Sequence, residues 1–222
     1  MEVFQIILKR LKYNIKIIKE KDPAAKGSLQ IFLLYSGLHA VMLHRPAHWL
    51  YNHKMFFLAR LLSQVSRFFT HIEIHPGAKI GWGLFIDHGS SVVIGETAVI
   101  GNDCTIYQGV TLGGTGKETG KRHPTLGDNV IVGCGAKILG PFKVGSNSKI
   151  ASGAVVLEEV PENSTAVGVP AKIVRINGKK IYNSNKNLDH IHIPNPVQNQ
   201  IQALSDRISE LEDKLNNQNT SQ

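Results

Sequence analysis

The chain has 222 residues, 42% of them hydrophobic and 19% charged, with two cysteines and a net charge of +8. That is enough for one substantial core and a smaller helical part, while Cys104 and Cys134 make no disulfide framework and suit a reducing cytoplasm. The longest uncharged apolar stretch, Leu29 to Leu43, falls short of the roughly 18–20 residues of a membrane span, no signal-peptide pattern is seen, and the dispersed basic residues form no nucleic-acid motif.

Residues 1–70 are predicted to be helical. Phe4, Ile7, Leu8, Leu11, Ile15 and Ile18 recur at three- and four-residue steps, and apolar runs continue through Leu38, Trp49 and Phe57 to Phe69. Asp22-Pro23 reads as a break, with Asp as an N-cap and Pro at the first helical position. His39, His44, His48 and His53 sit among apolar neighbours without metal-like spacing and read as packing or surface groups.

Between Ile74 and Val156 an aliphatic residue returns every six positions, within a domain placed at 71–176: Ile74, Ile80, Ile86, then Ile94, Ile100, Ile106, Leu112, then Leu126, Val132, Ile138, Val144, Ile150, Val156. Six fits neither a helix nor a long two-residue alternation. It predicts a mainly β fold, a parallel β-helix of hexapeptide repeats with three hexads to a coil and the anchors stacked inside. Gly often follows the anchor, as at Gly81, Gly95 and Gly145, where a corner needs positive φ or close backbone approach.

The period breaks twice. Ile86 to Ile94 spans eight residues, which places a two-residue bulge near Ser91 and Val92. Leu112 to Leu126 spans fourteen, so the stretch from Gly113 to Pro124, with Lys117, Lys121, Arg122 and His123, must leave the solenoid as a loop. Loops on rigid repeats are where binding groups tend to sit. Residues 177–196, with Asn183, Asn185, Asn187, Pro194 and Pro196, read as a linker. From 197 the steps Val197, Ile201, Leu204, Ile208, Leu211, Leu215 make a short heptad seam, either an amphipathic helix docked on the body or a short coiled coil.

The candidate chemistry gathers at the breaks. Asp87-His88 precedes the first bulge, and Glu73 lies fifteen residues upstream of His88, less than one coil away. Histidine is suited to take a proton from a hydroxyl near neutral pH, with a carboxylate fixing its tautomer. The same Asp-His pair, alone, reads equally as a turn cap.

Taken together, Ile72-Glu73-Ile74-His75-Pro76, Ile86-Asp87-His88-Gly89, Val93 to Val99, Gln108 to Lys117, Arg122-His123-Pro124 and Gly168-Val169-Pro170-Ala171 resemble the serine O-acetyltransferases of the hexapeptide-repeat acyltransferase superfamily. The resemblance runs from about Asp22 to Ile173. It implies a left-handed parallel β-helix and direct transfer of acetyl from acetyl-CoA, a cosubstrate, to the serine hydroxyl, the first step of cysteine biosynthesis from serine, with no metal. It implies His88 as general base and Glu73 as its carboxylate partner, where some members carry Asp. Asp22 and Asp87 match the groups that hold the substrate ammonium, Arg122 the group that binds its carboxylate, and His123 a second imidazole near the hydroxyl. Gly114, Cys134, Ser152 and Lys172 match the cofactor path, with Cys134 standing where a small Ala is expected.

The family's sites lie between subunits of a trimer, so a homotrimer or a dimer of trimers is expected. Members also dock a C-terminal Ile into O-acetylserine sulfhydrylase, whereas this chain ends Asn219-Thr220-Ser221-Gln222, which argues against that complex. Two other activities fit the same repeat: acetylation of homoserine or a sugar, and a zinc carbonic anhydrase using His75, His88 and His123.

Overall fold

The computed structural model describes residues 2–116, 119–181 and 196–219. The helical stretch forms α1 (Glu2–Lys21), α2 (Ser28–Leu34), α3 (Ser36–Asn52) and α4 (Phe56–Thr70). The break after α1 differs from expectation, because Asp22 caps no helix. Its Oδ1 accepts the Ala24 N–H at 2.8 Å and its Oδ2 accepts the Tyr35 hydroxyl at 2.6 Å. The local turn satisfies the carboxylate first, and α2 begins later, with extended Gly27 at its N-cap.

Three histidines of α3 and the chain just after it bond backbone carbonyls, as does His39. His44 Nε2 lies 3.1 Å from Ala78 O, His48 Nδ1 2.7 Å from Pro76 O, and His53 Nδ1 2.8 Å from Trp49 O. Arg45 donates to Ile80 O and Gly81 O at 2.8 and 2.7 Å, so α3 is tied to the first coil by its polar face. Helix α4 buries a stripe of small residues, Ala59, Ser63, Ser66 and Thr70, which lets it lie close to the strand that follows; Ser63 Oγ donates to Ile74 O at 2.8 Å. On its opposite side Phe57, Leu61 and Phe68 are 79%, 51% and 75% exposed.

The first coil holds β1 (Ile72–Ile74), β2 (Lys79–Ile80) and β3 (Phe85–Asp87), and the second β4 (Val92–Ile94), β5 (Val99–Ile100) and β6 (Thr105–Tyr107). The third holds β7 (Thr111–Gly113), β8 (Thr125–Leu126) and β9 (Ile131–Val132), the fourth β10 (Lys137–Leu139), β11 (Lys143–Val144) and β12 (Lys149–Ile150), and the last β13 (Val155–Val156) and β14 (Ser164–Val167). Strands stack in parallel into three faces: β1-β4-β7-β10-β13, then β2-β5-β8-β11, then β3-β6-β9-β12-β14. Every predicted anchor points inward and none is more than 7% exposed. Each such burial is worth about 1.5–3 kcal/mol. Register confirms the hexads: Ile94 pairs with Leu112 eighteen residues on, Ile74 with Ile94 after twenty, and Ile100 with Leu126 after twenty-six.

Of the two roles expected for glycines after the anchors, positive φ or close approach, the structure shows close approach, since a Cβ on Gly101 would meet Gly127 O at 2.5 Å. Two details differ from the sequence expectation. Val92 lies in β4, fully buried and paired with Ile72, so the two extra residues fall within His88–Ser91. The fold also extends past residue 176: β15 (Lys172–Ile176) and β16 (Lys179–Lys180) cap the third face antiparallel, joined by a left-handed Asn177-Gly178 turn.

Residues 184–222 form a second compact unit, in which α5 spans Pro196–Asn219. The expected linker positions Asn183, Asn185, Asn187 and Pro194, like Lys117 in the loop, lie outside the described residues. No described helix is long and apolar enough to cross a membrane.

Candidate active site

The candidate residues collect at two corners of the solenoid. The first corner joins the β1 face to the β2 face. The loop that leaves after β7 returns here, and Thr97, in the corner after β4, fastens it. Thr97 Oγ1 accepts the N–H groups of Arg122 and His123 at 3.0 and 3.1 Å, and Lys121 Nζ donates to Thr97 O at 2.8 Å and also to His123 O. The expelled segment therefore ends in a fixed position. Arg122 Nη2 then lies 2.8 Å from Glu96 Oε2, and Tyr51 of α3 donates to Glu96 Oε1 at 3.0 Å. Burial alone would raise the Glu96 pKa, but the bonds from Tyr51 and Arg122 and the nearby charges of His75 and Arg122 lower it. An ionised Glu96 uses one edge of the guanidinium and leaves Arg122 with further N–H donors.

His123 is only 8% exposed and packs over Gly95. A Cβ on Gly95 would lie 2.0 Å from its Cδ2 and 2.1 Å from its Nε2, so this glycine clears space for the ring. The Thr97 N–H points at His123 Nδ1 from 3.2 Å, which makes Nδ1 an acceptor and places the proton of the neutral ring on Nε2. Burial first, and then the Arg122 charge, lowers the His123 pKa, so the neutral donor form prevails at pH 7. His75 shows the same pattern: its Nδ1 accepts the Gly77 N–H at 3.1 Å and burial lowers its pKa. Beside these groups an open cavity of about 380 Å³ is lined by Tyr51, Phe56, Arg60, His75, Pro76 and Glu96.

The third corner joins the β3 face back to the β1 face, and the first break lies here. His88 takes φ +58°, followed by Gly89 at +76° and Ser91 at +61°. This left-handed kink expels the His88 side chain, which is 71% exposed, with Nε2 3.8 Å from Asp87 Oδ1. Tyr35 links the corner to Asp22. Its hydroxyl is pushed up to about 12 by burial, by the bond to Asp22 and by the charges of Asp22 and Asp87. Asp22 thus accepts the phenol's proton in a hydrogen bond, while Asp87 acts on it through charge alone. Cys134 and Ser152 occupy the same corner in later coils, where Gly153 N donates to Cys134 O at 2.8 Å. Cys104 is inside the core, its thiol pushed up to about 11 by burial.

Glu73 is placed differently from expectation. Among the described contacts its carboxylate pairs with Arg60 and Arg67 of α4, each at 3.1 Å, and it makes none with His88. Two guanidinium groups on a helix packed along β1 hold the carboxylate there, away from His88 on its exposed bulge. Gly114 packs against Arg122, 3.1 Å from its Cγ were a Cβ present, and Lys172 Nζ lies 3.4 Å from Glu158 on the surface. Sequence reasoning missed Tyr35, Tyr51, Gly95 and Thr97 as parts of the site. Gly95 and Thr97 alone carried a local signal, since both sit in the Val93–Val99 motif.

A family model described as bacterial transferase hexapeptide (six repeats) matches residues 123–158. Over 199 residues the chain is 56% identical to serine acetyltransferase of Staphylococcus aureus strain MSSA476, covering 90% of this chain and 91% of that one. The chain belongs to the serine acetyltransferase family. The enzyme of Bacillus subtilis strain 168 is 53% identical over 210 residues, 95% of each chain. A crystal structure of Neisseria gonorrhoeae serine acetyltransferase in complex with serine superposes with a TM-score of 0.74 at 44% identity, over 77% of this chain and 70% of that one. Family membership and the stacked hexads are thus two independent statements of the same fold.

Proposed function

We propose that this member of the serine acetyltransferase family acetylates the hydroxyl of L-serine from acetyl-CoA through a site built between two copies of the chain. The observation that carries the reading is the split of its candidate groups. His88, Asp87 and Asp22 gather at the third corner, and Arg122, His123 and Glu96 at the first. A small amino acid needs a base at its hydroxyl and cation and anion partners at its carboxylate and ammonium. One corner of one chain supplies only part of that set. A neighbouring copy that sets its first corner against the third corner completes it. The apolar outer side of α4 supports self-association.

In this arrangement His88 takes the hydroxyl proton as the oxygen attacks the thioester carbonyl, and the protonated ring then returns it to the CoA thiolate. Exposure of His88 in the single chain suits a group that meets its substrate at an interface. The Arg122 fork, held on one side by Glu96, offers its remaining N–H groups to the serine carboxylate. Asp22 and Asp87 hold the ammonium. His123, with its proton on Nε2, donates a hydrogen bond near the reacting oxygen and is not a second base. Glu73, paired with Arg60 and Arg67, fixes α4 beside the first corner in the single chain. Cys134 and Ser152 lie along the edge that starts at His88, an extended path of the kind a long cofactor arm requires; Gly114, where the loop leaves, and Lys172, beside Glu158, are the other two groups of that path.

The test is acetyl transfer by the purified chain to serine, homoserine and galactosides in competition. Preference for serine of at least tenfold in kcat/KM supports the reading, and preference for another acceptor overturns it.

A further inference from the structure

We propose that α5 pairs in parallel and in register with the same helix of other copies of this chain, forming a short coiled coil at the C-terminal end. The inference is independent of the catalytic reading. Helix α5 has 24 residues and is polar on average, and its apolar seam is open: Ile201, Leu204, Ile208 and Leu211 are 60%, 64%, 56% and 49% exposed. Most of a helix's stability in a protein comes from packing its apolar face, and this one has no packed partner among the described residues. The steps between the four residues place Ile201 and Ile208 at a and Leu204 and Leu211 at d. β-Branched a with Leu d is the pairing that parallel coils use.

Charge selects the occupant. In this frame Arg207 falls at g and Glu212 at the following e. In a parallel, in-register pair, g of one helix lies beside the next e of its partner, so each Arg207 meets a Glu212 on the other chain, twice per pair. An antiparallel pair centred on the same seam sets g against g, which faces Arg207 with its own copy. A second copy in parallel is therefore the partner this seam fits. Parallel orientation also requires chains that point the same way, as protomers do around a rotation axis.

Cysteine trapping on the full chain tests the proposal. Leu211→Cys, at d, should form a disulfide-linked dimer under mild oxidation well above the wild-type background from Cys104 and Cys134. Mixed Ile201→Cys and Leu211→Cys chains should link no better than Ile201→Cys alone. Adding Arg207→Glu should lower the Leu211→Cys yield about two- to five-fold, the range for exposed ion pairs, and Arg207→Glu with Glu212→Arg should restore it. A Leu211→Cys yield at the wild-type background overturns the coil. Linking only between Ile201→Cys and Leu211→Cys overturns the orientation, and indifference to the charge swap overturns the register. Acetyltransferase activity of each variant reports the body separately, since α5 belongs to a distinct unit.

Discussion

Arg122→Ala is the most informative single substitution. Among the described residues the guanidinium makes one side-chain hydrogen bond, Nη2 to Glu96 Oε2 at 2.8 Å, and both side chains are about one-third exposed, 35% and 33%. At that exposure the pair itself contributes less than about 1 kcal/mol to stability. The loop end stays fastened without the side chain, because Thr97 holds it through the backbone N–H groups of residues 122 and 123. Loss of function therefore reports on substrate and not on folding. If Arg122 binds the serine carboxylate, the substitution removes a charge-assisted contact of about 1.5–3 kcal/mol and raises the KM for serine about ten- to a hundred-fold. The KM for acetyl-CoA stays near wild type. Arg122→Lys recovers only part, since a point charge cannot hold Glu96 and a carboxylate in one plane. Initial-rate kinetics with each substrate varied in turn measure both constants. A raised KM for acetyl-CoA with serine unaffected would refute the assignment and move the loop to the cofactor side.

Three further outcomes follow from the same geometry. His88→Ala should lower kcat about 10²–10⁴-fold while binding of CoA, measured by calorimetry, stays intact; near-normal turnover removes His88 from the mechanism. Gly95→Ala drives a methyl into the His123 ring and should cost about a hundred-fold in kcat, but little more when His123 is already Ala; additive losses in that double mutant sink the packing argument. His44 is buried, and its folded pKa is near 3, held down by burial and by the charges of Arg45 and His48. Because that lies below the roughly 6.5 of an unfolded histidine, its contribution to stability is present above about pH 6.5 and is lost as pH falls toward 3, at up to about 1.4 kcal/mol per pH unit. Denaturant midpoints at several pH values should therefore show a shallower slope in His44→Gln, and an unchanged slope rejects the idea.

Much of the fold was legible because a solenoid writes its contacts into a short period. Each anchor needs only the residue one coil away, so Ile94 and Leu112 announce their pairing in the spacing itself. What the spacing hides is anything decided by helix docking. Glu73 meets Arg60 and Arg67 only because α4 lies along β1, and Tyr51 reaches Glu96 across forty-five residues from α3. Neither pairing has a local motif. The bulge was legible in length but not in position: eight residues between Ile86 and Ile94 allow several kinks, and the choice fell on His88–Ser91 because burying Val92 opposite Ile72 keeps the core filled.

The division of the site between two corners leads to a complementation test that no single-chain site can pass. A chain carrying His88→Ala keeps its Arg122, and a chain carrying Arg122→Ala keeps its His88. If the proposed site lies between copies in a closed ring, each site takes its third corner from one subunit and its first corner from the next. If the two impaired chains are mixed equally and assembled at random, an intact site needs an Arg122→Ala subunit followed by a His88→Ala subunit. The chance of that is about one half times one half, so co-expression should restore ~25% of wild-type sites. The recovered sites are wild type in composition, so their KM for serine should be normal even though kcat per chain is reduced. That split excludes a general stabilising effect of mixing, which would raise total rate without restoring KM. A site held within one chain contains a mutation in every subunit and recovers nothing. Activity of the mixture no higher than the average of the two parents would return both corners to a single chain and remove the intersubunit reading.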